Sequence, residues 1–374
     1  MSDQPLQKSD QPAQKKDTDT KKHKHMGMGA LKRWFTAEGF YADVIDQRLG
    51  LSDLTHHIKR NVIPKKRVHF STLPGWIILF LFICEVITGI LLMLYYHPTV
   101  AEAYINVRYI TNNIHFGWLI RGVHFWGSHL MILFVFLHMI QTFVYGGYKA
   151  PRELAWISGV ALFILTLLFG LTGYLLPWNQ ISYWATTIVT ESVAVIPGIG
   201  RYLKLIVRGG EDVSQVTLTR FYALHVVVIP MLVAVLTFFH LFTIRKYLIP
   251  KDILAHVIVM LVMFGLLLSL ATLFPAPIHT KADPFNTPAH VKPEWYFLAS
   301  CAILAIAGKL EFLGGWAPKA LGIFIQLVII IMLFLVPFID ASKIRSPKRR
   351  PFSIILGMIT VVGFIILTIM GKYI

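Results

Sequence analysis

Apolar residues gather in seven long stretches that are separated by polar and charged segments. The stretches lie at about residues 75–96, 117–145, 153–176, 221–244, 253–274, 319–339 and 352–371. Each is close to or above the roughly 20 residues that an α-helix needs to cross the hydrocarbon core of a bilayer. The pattern predicts an all-α integral membrane protein with seven transmembrane helices. A hydrophobic fraction of 56% and a mean hydropathy of +0.63 agree with this fold class.

The chain before the first stretch has a different composition. Residues 1–33 are rich in Lys, Gln, Asp and Ser, and we expect a disordered basic tail without the apolar core of a signal peptide. Residues 34–72 mix aromatic, aliphatic and charged side chains, which predicts an amphipathic segment on the membrane surface.

Basic residues are unevenly distributed among the loops, although the net charge of the whole chain is +16. With seven spans, the N-terminus and the second, fourth and sixth loops lie on one side of the membrane. The basic residues of these loops are Lys149, Arg152, Arg245, Lys246, Lys251, Lys343, Arg345, Lys348, Arg349 and Arg350. The positive-inside rule places that side in the cytoplasm. The excess charge therefore indicates membrane topology, and we expect no nucleic-acid partner.

Four histidines lie inside two of the apolar stretches at nearly equal spacing. His124 and His138 are fourteen residues apart in the second stretch, and His225 and His240 are fifteen apart in the fourth. Each pair lies on one helix face with a separation of ~21 Å. Histidine within a membrane is costly and usually functional, and two facing pairs can ligate two stacked haems. Because these spans run in the same direction, His124 pairs with His225 on the outer side and His138 pairs with His240 on the inner side.

Smaller features accompany the histidines. Gly75 and Gly89 in the first stretch, and Gly159 and Gly173 in the third, repeat the fourteen-residue interval and are predicted to make room for haem edges. A kink at Pro230 is expected to accommodate the longer histidine spacing of the fourth stretch.

Two arginines and two cysteines indicate how haem would be bound. Arg121 and Arg220 lie at the outer membrane boundary, where they are predicted to pair with haem propionates. The two cysteines, Cys84 and Cys301, form no CxxCH motif, so covalently attached c-type haem is not expected.

These residues together resemble cytochrome b, the haem- and quinone-carrying subunit of cytochrome bc-type complexes. The resemblance runs from about residue 40 to the C-terminus and includes the segments "YKAPRE" (148–153), "GYLLPWNQ" (173–180) and "LTRFYALH" (218–225). The most specific motif is Pro293, Glu294, Trp295 and Tyr296, "PEWY", in the loop between the fifth and sixth spans. The resemblance implies that this loop forms a quinol-oxidation site, where Glu294 accepts a proton and Tyr296 shapes the pocket.

The resemblance also implies a reaction and a set of partners. Quinol is oxidised at the outer face, with one electron passing to a Rieske iron–sulfur protein and the other crossing two non-covalent b-type haems to an inner quinone site. The expected assembly is a homodimeric quinol oxidoreductase in the bacterial inner membrane, with a c-type cytochrome subunit and a cytochrome c or plastocyanin-type acceptor. By the same resemblance, Asp252 and Arg245 are candidates for the inner quinone site, although Asp252 is equally consistent with a helix cap.

The arrangement of the chain resembles the chloroplast and cyanobacterial branch, with a four-helix di-haem part (73–247) fused to a three-helix part (248–374). Three positions depart from the family pattern. Residues 70–75 lack the cysteine that tethers a third haem in that branch. Gln141 stands where relatives usually carry an arginine, and Glu85 stands where they commonly carry glutamine.

Two other functions use some of the same features. A di-haem membrane anchor of a dehydrogenase or hydrogenase would need the histidines but neither the PEWY loop nor the four glycines. A non-catalytic haem-binding sensor would need no quinol pocket. The loop between the fifth and sixth spans favours the quinol oxidoreductase over both.

Overall fold

The computed structural model describes residues 73–244, 253–289, 291–310, 312, 314 and 317–374. The predicted tail and surface segment, and the two inner-site candidates Arg245 and Asp252, lie outside the described residues. The described residues belong to one compact unit, which spans residues 62–374.

The described part of the chain is almost entirely helical, as the apolar pattern predicts. Its α-helices are α1 (Leu73–Met93), α2 (Ala103–Asn113), α3 (Gly117–Val144), α4 (Glu153–Leu175), α5 (Gln180–Ala194), α6 (Gly200–Arg208), α7 (Gln215–Ala223), α8 (Ile229–Ile244), α9 (Ile253–Leu273), α10 (Trp295–Gly308), α11 (Ala317–Ile339) and α12 (Pro351–Tyr373). Within the described ranges, β-type pairing is limited to one isolated bridge between Asn179 and Lys281.

Seven helical segments in the described ranges are long and apolar enough to cross a membrane, which confirms the predicted fold class. They are α1, α3, α4, the continuous run Gln215–Ile244, the range Leu254–Leu273 within α9, α11 and α12. Large apolar side chains such as Phe238 and Ile359 remain more than half exposed on these helices. This exposure is expected where the surrounding solvent is lipid.

The fourth span contains a turn that the sequence did not predict. Residues Leu224–Val228, which include His225, form a π-helical turn between α7 and α8, directly before Pro230. A π-turn closes its hydrogen bonds over one more residue than an α-turn. This turn explains how fifteen residues separate His225 from His240 while fourteen separate the histidines of α3. The kink expected at Pro230 stays a prediction.

The spans pack in two connected groups. α1 packs on α3, α4 packs on α8 and the π-turn, and α9 packs on α3 and α1. The short helix α10 packs on α11 and α12, while α11 also contacts α4 and α12 also contacts α3. An apolar core of Leu81, Val123, Met131 and Leu267 fills the space between α1, α3 and α9.

The loops meet at two opposite ends of the helices. At one end, the loop after α9 contacts the preceding outer loops, as when the Tyr104 hydroxyl donates to the His279 carbonyl at 2.9 Å. At the other end, the loop after α3 meets the segment after α11, where Lys149 contacts Asp340. These contacts confirm that the second and sixth loops share one face, as the basic residues suggested.

Candidate functional site

The structure brings His124 and His225 together as predicted. Their ring centroids lie 6.3 Å apart with an angle of 80° between the ring planes. Two metal–imidazole bonds of about 2.0–2.1 Å each fit within this separation. The pair therefore has a spacing at which both histidines could hold one metal ion between them.

The Nδ1 atoms of these two rings are occupied by the neighbouring helices. His124 Nδ1 lies 3.0 Å from Thr88 Oγ1 and 3.1 Å from Glu85 Oε2 on α1. His225 Nδ1 lies 3.2 Å from both Thr172 Oγ1 and the Phe169 carbonyl on α4. Since each Nδ1 is engaged in this way, Nε2 is the atom left to bind a metal.

The inner histidines have a similar but incomplete arrangement. His240 Nδ1 lies 2.9 Å from Ser158 Oγ. His138 Nδ1 is buried and has no hydrogen-bond partner among the described residues. The sequence explains why His138 lacks such a partner. A threonine or serine, whose hydroxyl contacts the ring, precedes each of the other three glycines, whereas Pro74 precedes Gly75.

Each of the four predicted glycines lies against one of the four histidine rings. A Cβ atom would lie 3.6 Å from the His138 Cε1 at Gly75, 3.3 Å from the His124 Cε1 at Gly89, 3.2 Å from the His240 Cε1 at Gly159, and 2.5 Å from the His225 Cε1 at Gly173. A side chain at Gly173 would collide with the imidazole. The glycines thus make room for the ligand rings themselves, a role that the sequence interpretation assigned to haem edges.

Thr88, Ser158 and Thr172 are site residues that the sequence analysis missed. Each directly precedes one of the four glycines, so a repeated hydroxyl–glycine pair was the signal that could have revealed them. Glu85 was noted only as a departure from the family pattern. Its Oε2 contacts His124, and its buried Oε1 has no hydrogen-bond partner among the described residues.

One cavity of about 380 Å³ joins the outer histidines to the PEWY loop. Its lining includes His124, His225, Gly89 and Gly173 together with Glu294 and Tyr296. Most of its walls are apolar side chains, as is usual for sites that bind organic ligands. The structure therefore places the outer histidine pair and the expected acid–base group in a shared space.

Glu294 and Tyr296 lie at the start of α10. Glu294 immediately precedes the helix, and burial raises the pKa of its carboxyl above the ordinary value. The Tyr296 side chain packs against α4 at Gly170, where a Cβ would lie 2.8 Å from the tyrosine hydroxyl. Gly170, which the sequence analysis did not single out, thus allows the tyrosine to approach the helix. Burial, followed by the nearby charge of Glu294, also raises the pKa of Tyr296.

A fifth histidine, His129, stands beside the PEWY loop. Its Nδ1 accepts a hydrogen bond from Trp295 Nε1 at 3.1 Å, and its Nε2 lies 3.8 Å from Glu294 Oε2. The sequence analysis missed this residue because it has no partner at the spacing of the other histidines. Pro293 precedes this contact in the loop, and the His129 ring lies 6.2 Å from the Tyr296 ring.

The two boundary arginines are held by backbone carbonyls. Arg121 lines the cavity and donates to the carbonyls of Ala276 at 2.9 Å and Pro277 at 2.6 Å. Arg220 donates to the carbonyls of Leu205, at 3.3 Å, and Ile206. Both lie at the end of the helices that carries the PEWY loop, and their pairing with propionates stays a prediction.

The donor set fits haem. It offers one facing pair of histidine rings, a glycine against each of the four rings, Nδ1 partners for three rings, and an apolar cavity at the outer pair. Within the parts of the chain that the structure describes, no cluster of His, Cys, Asp and Glu has the arrangement of a bare metal-ion site.

Comparisons with known proteins agree with this arrangement. The family described as "Cytochrome b/b6/petB" matches residues 60–248, and "Cytochrome b(C-terminal)/b6/petD" matches residues 281–374. The cytochrome b subunit of a cytochrome bc complex from Chlorobaculum thiosulfatiphilum is 35% identical over 94% of this chain and 82% of its own length. Cytochrome b6 of Synechococcus sp. (strain CC9902) is 44% identical over 54% of this chain and 93% of its own.

A solved structure shows the same fold over most of the chain. It is described as "Hyperthermophilic respiratory Complex III", and its matching chain superposes with a TM-score of 0.73 at 29% identity, covering 88% of this chain and 91% of that one. The two family matches follow one another along the chain, which fits a b6-like part fused to a subunit IV-like part. The chain is thus a membrane-embedded electron-transport protein that belongs to the cytochrome b/b6 family.

Proposed function

We propose that this chain is the cytochrome b subunit of a proton-translocating quinol oxidoreductase, and that quinol is oxidised in the cavity beside Glu294 and Tyr296. The observation that carries the proposal is the shared cavity, which joins the PEWY loop to the outer histidine pair. A membrane anchor for another enzyme has no need of a buried carboxylate at that position.

His124 and His225 would hold the outer haem, and His138 and His240 would hold the inner one. Bound there, haem would supply the redox chemistry that lets one quinol electron reach an inner quinone, while the other electron would leave to a Rieske iron–sulfur protein. The chain contributes the ligands, fixes their tautomers through Thr88, Ser158 and Thr172, and keeps water from the apolar interior.

Glu294 is the proposed acceptor of a quinol proton. Its carboxyl lies in the cavity and is largely buried, so it releases a proton less readily than a carboxyl in water. Tyr296 closes the same wall of the pocket against α4. An inner quinone site near Arg245 and Asp252 remains a prediction, and its residues lie outside the described ranges.

The proposed setting is the bacterial inner membrane, with the N-terminus in the cytoplasm. The support is the shared face of the loops that carry Lys149 and Arg345, where Arg345 donates to the Ala150 carbonyl at 2.8 Å. The proposed partners are a Rieske protein and a c-type cytochrome within a dimeric complex. Because the proposed reaction needs these partners, the experiments below use the full complex.

Oxidant-induced reduction of haem b tests the proposed function. With quinol present and the inner site blocked, a pulse of oxidant withdraws an electron through the Rieske protein, and the second quinol electron should then reduce haem b. An absorbance increase of reduced haem b within the same turnover is the expected result. A complex whose haem b is only oxidised by the pulse, or that lacks a Rieske signal, would be a simple di-haem anchor.

Replacing His138 with leucine tests the histidine pairing. The inner haem should be lost and the outer haem retained, because His124 and His225 share a separate site. The haem content measured by pyridine haemochrome analysis should fall from two haems to one per chain. Acidified acetone should extract all haem from the wild-type protein and from the variant. Replacement of the exposed His115 by leucine is the control and should retain two haems. Loss of both haems from a chain still assembled in the membrane would contradict the pairing.

A further inference from the structure

His129 lies between the two elements that form the outer cavity. It projects from α3, five residues after His124, and is largely buried, with 14% of its side chain exposed. Trp295 and Glu294 approach its two different nitrogens, although these residues are adjacent in the chain. The ring therefore connects the PEWY loop to the second span.

The hydrogen bond from Trp295 determines which nitrogen of His129 carries the proton. An indole N–H only donates, so the Nδ1 atom that it contacts at 3.1 Å must present a lone pair. A neutral imidazole with an accepting Nδ1 carries its hydrogen on Nε2. That Nε2–H faces Glu294 Oε2 at 3.8 Å, which is longer than a hydrogen bond. Contacts between catalytic groups are often long before substrate binds and shorten in the complex.

We infer that His129 is a positioning residue for quinol oxidation: its Nε2–H faces and stabilises the ionised carboxylate of Glu294, so that the quinol proton is left on Glu294 and not on His129. This inference rests on the proposed function. The quinol O–H bond breaks, the Glu294 O–H bond forms, and His129 keeps its single hydrogen. The electron that accompanies the proton leaves to the Rieske protein.

A role for His129 as the base itself is disfavoured by its hydrogen bond from Trp295 and its contact with Glu294. Both ring nitrogens are engaged, Nδ1 as an acceptor from Trp295 and Nε2 as a donor toward Glu294. To accept the quinol proton, His129 would have to break its contact with the indole. Glu294 can accept the proton without breaking a hydrogen bond that it donates, because an ionised carboxylate is an acceptor only.

Other titratable groups also border this cavity. They are Glu85 on α1, Tyr96 in the segment after α1, Arg121 and His124 on α3, Tyr174 on α4, Tyr222 on α7, His225 on the π-turn, His279 in the loop before α10, and Tyr296 on α10. Of these, Tyr296 follows Glu294 by two residues, and the charge of Glu294 acts on its hydroxyl. His129 differs from them because it presents an N–H to the carboxylate with a tautomer that a second residue determines.

The test compares His129→Leu, His129→Gln and Glu294→Gln in the purified, haem-loaded complex. Quinol oxidation is measured against pH as kcat and KM, and the carboxyl infrared band that Glu294→Gln removes is titrated separately. Leucine removes the N–H, so the rise of kcat and the carboxyl titration should both move to higher pH by about one unit. Glutamine retains an N–H donor and should restore both midpoints. KM should stay near the wild-type value in both variants.

Several outcomes would overturn the inference. Wild-type midpoints in His129→Leu would show that Glu294 does not depend on the imidazole. Equal shifts in the leucine and glutamine variants would show that packing or imidazole basicity matters instead. If the leucine variant loses haem, His129→Met takes its place as the variant without an N–H donor: displaced midpoints support the donor role and wild-type midpoints refute it. Unchanged turnover in Glu294→Gln would refute the proposed function itself, and the inference with it.

Discussion

Replacing Glu294 with glutamine should slow quinol oxidation by roughly 10²–10⁴-fold, the usual contribution of a general acid–base group. Glutamine has nearly the same size but cannot accept the proton that quinol releases. The haem spectra should be unchanged, because no proposed haem ligand is altered. Stopped-flow reduction of haem b by quinol, measured with the inner site blocked, reports this step directly.

The pH dependence of the same reaction gives a second readout. Burial raises the pKa of Glu294, so its carboxylate is populated only at pH values above that raised pKa. In the wild-type protein the rate should therefore fall as the pH decreases through the raised pKa. The glutamine variant should lack this fall in rate at low pH. Glu102→Gln, an exposed carboxylate at the same end of the molecule, is the matched control and should retain both rate and profile. A Glu294→Gln variant with the wild-type pH profile would remove Glu294 from the reaction.

Much of the architecture follows from apolar periodicity and from the intervals between histidines. Seven apolar runs predict seven spans, and nearly equal histidine intervals on parallel helices leave one consistent pairing, which the His124–His225 contact matches. Such inferences succeed because a bilayer requires continuous helices and because histidine within a membrane is costly and usually functional.

Other parts of the site could not be inferred in this way. A π-turn at Leu224–Val228 has the same apolar composition as an α-turn, so only the extra residue in the histidine spacing hinted at it. No second histidine lies at the characteristic spacing from His129. Its role depends on contacts with Trp295 and Glu294, which are more than 160 residues away in the chain. Lys149 was interpreted as a topology signal, whereas the structure shows it buried in an ion cluster.

That cluster connects the two predicted parts of the chain at the end opposite the PEWY loop. Asp340, which follows α11, accepts hydrogen bonds from Lys149 at 2.5 Å, from Ser353 at 3.0 Å and from Tyr148. Arg350 contacts Asp340 at 3.4 Å and donates to Tyr148 at 2.8 Å. Lys149 and Arg350 are only 2% and 5% exposed, so their charges depend on this carboxylate.

The ionisation of Asp340 makes this contact dependent on pH. Burial opposes ionisation of the carboxyl, but hydrogen bonds from Lys149, Tyr148 and Ser353 outweigh it and hold the pKa of Asp340 well below its usual range. A lowered pKa in the folded state stabilises the protein at pH values above the ordinary aspartate pKa of about 3.9. The stabilisation is lost as the pH falls through the lowered value.

Replacing Asp340 with alanine should therefore destabilise the protein by about 3 kcal/mol, the lower end of the range for breaking a buried ion pair, because Asp340 itself stays partly exposed. The loss should appear as a lower temperature of haem release in thermal melts of the purified complex, and Asp340→Asn should lose less because its amide oxygen still accepts a hydrogen bond. Glu102→Ala is the matched control, since its contact with His97 is exposed on both sides and should contribute little to stability. Equal melting shifts for Asp340→Ala and Glu102→Ala would show that the buried cluster does not hold the two parts together.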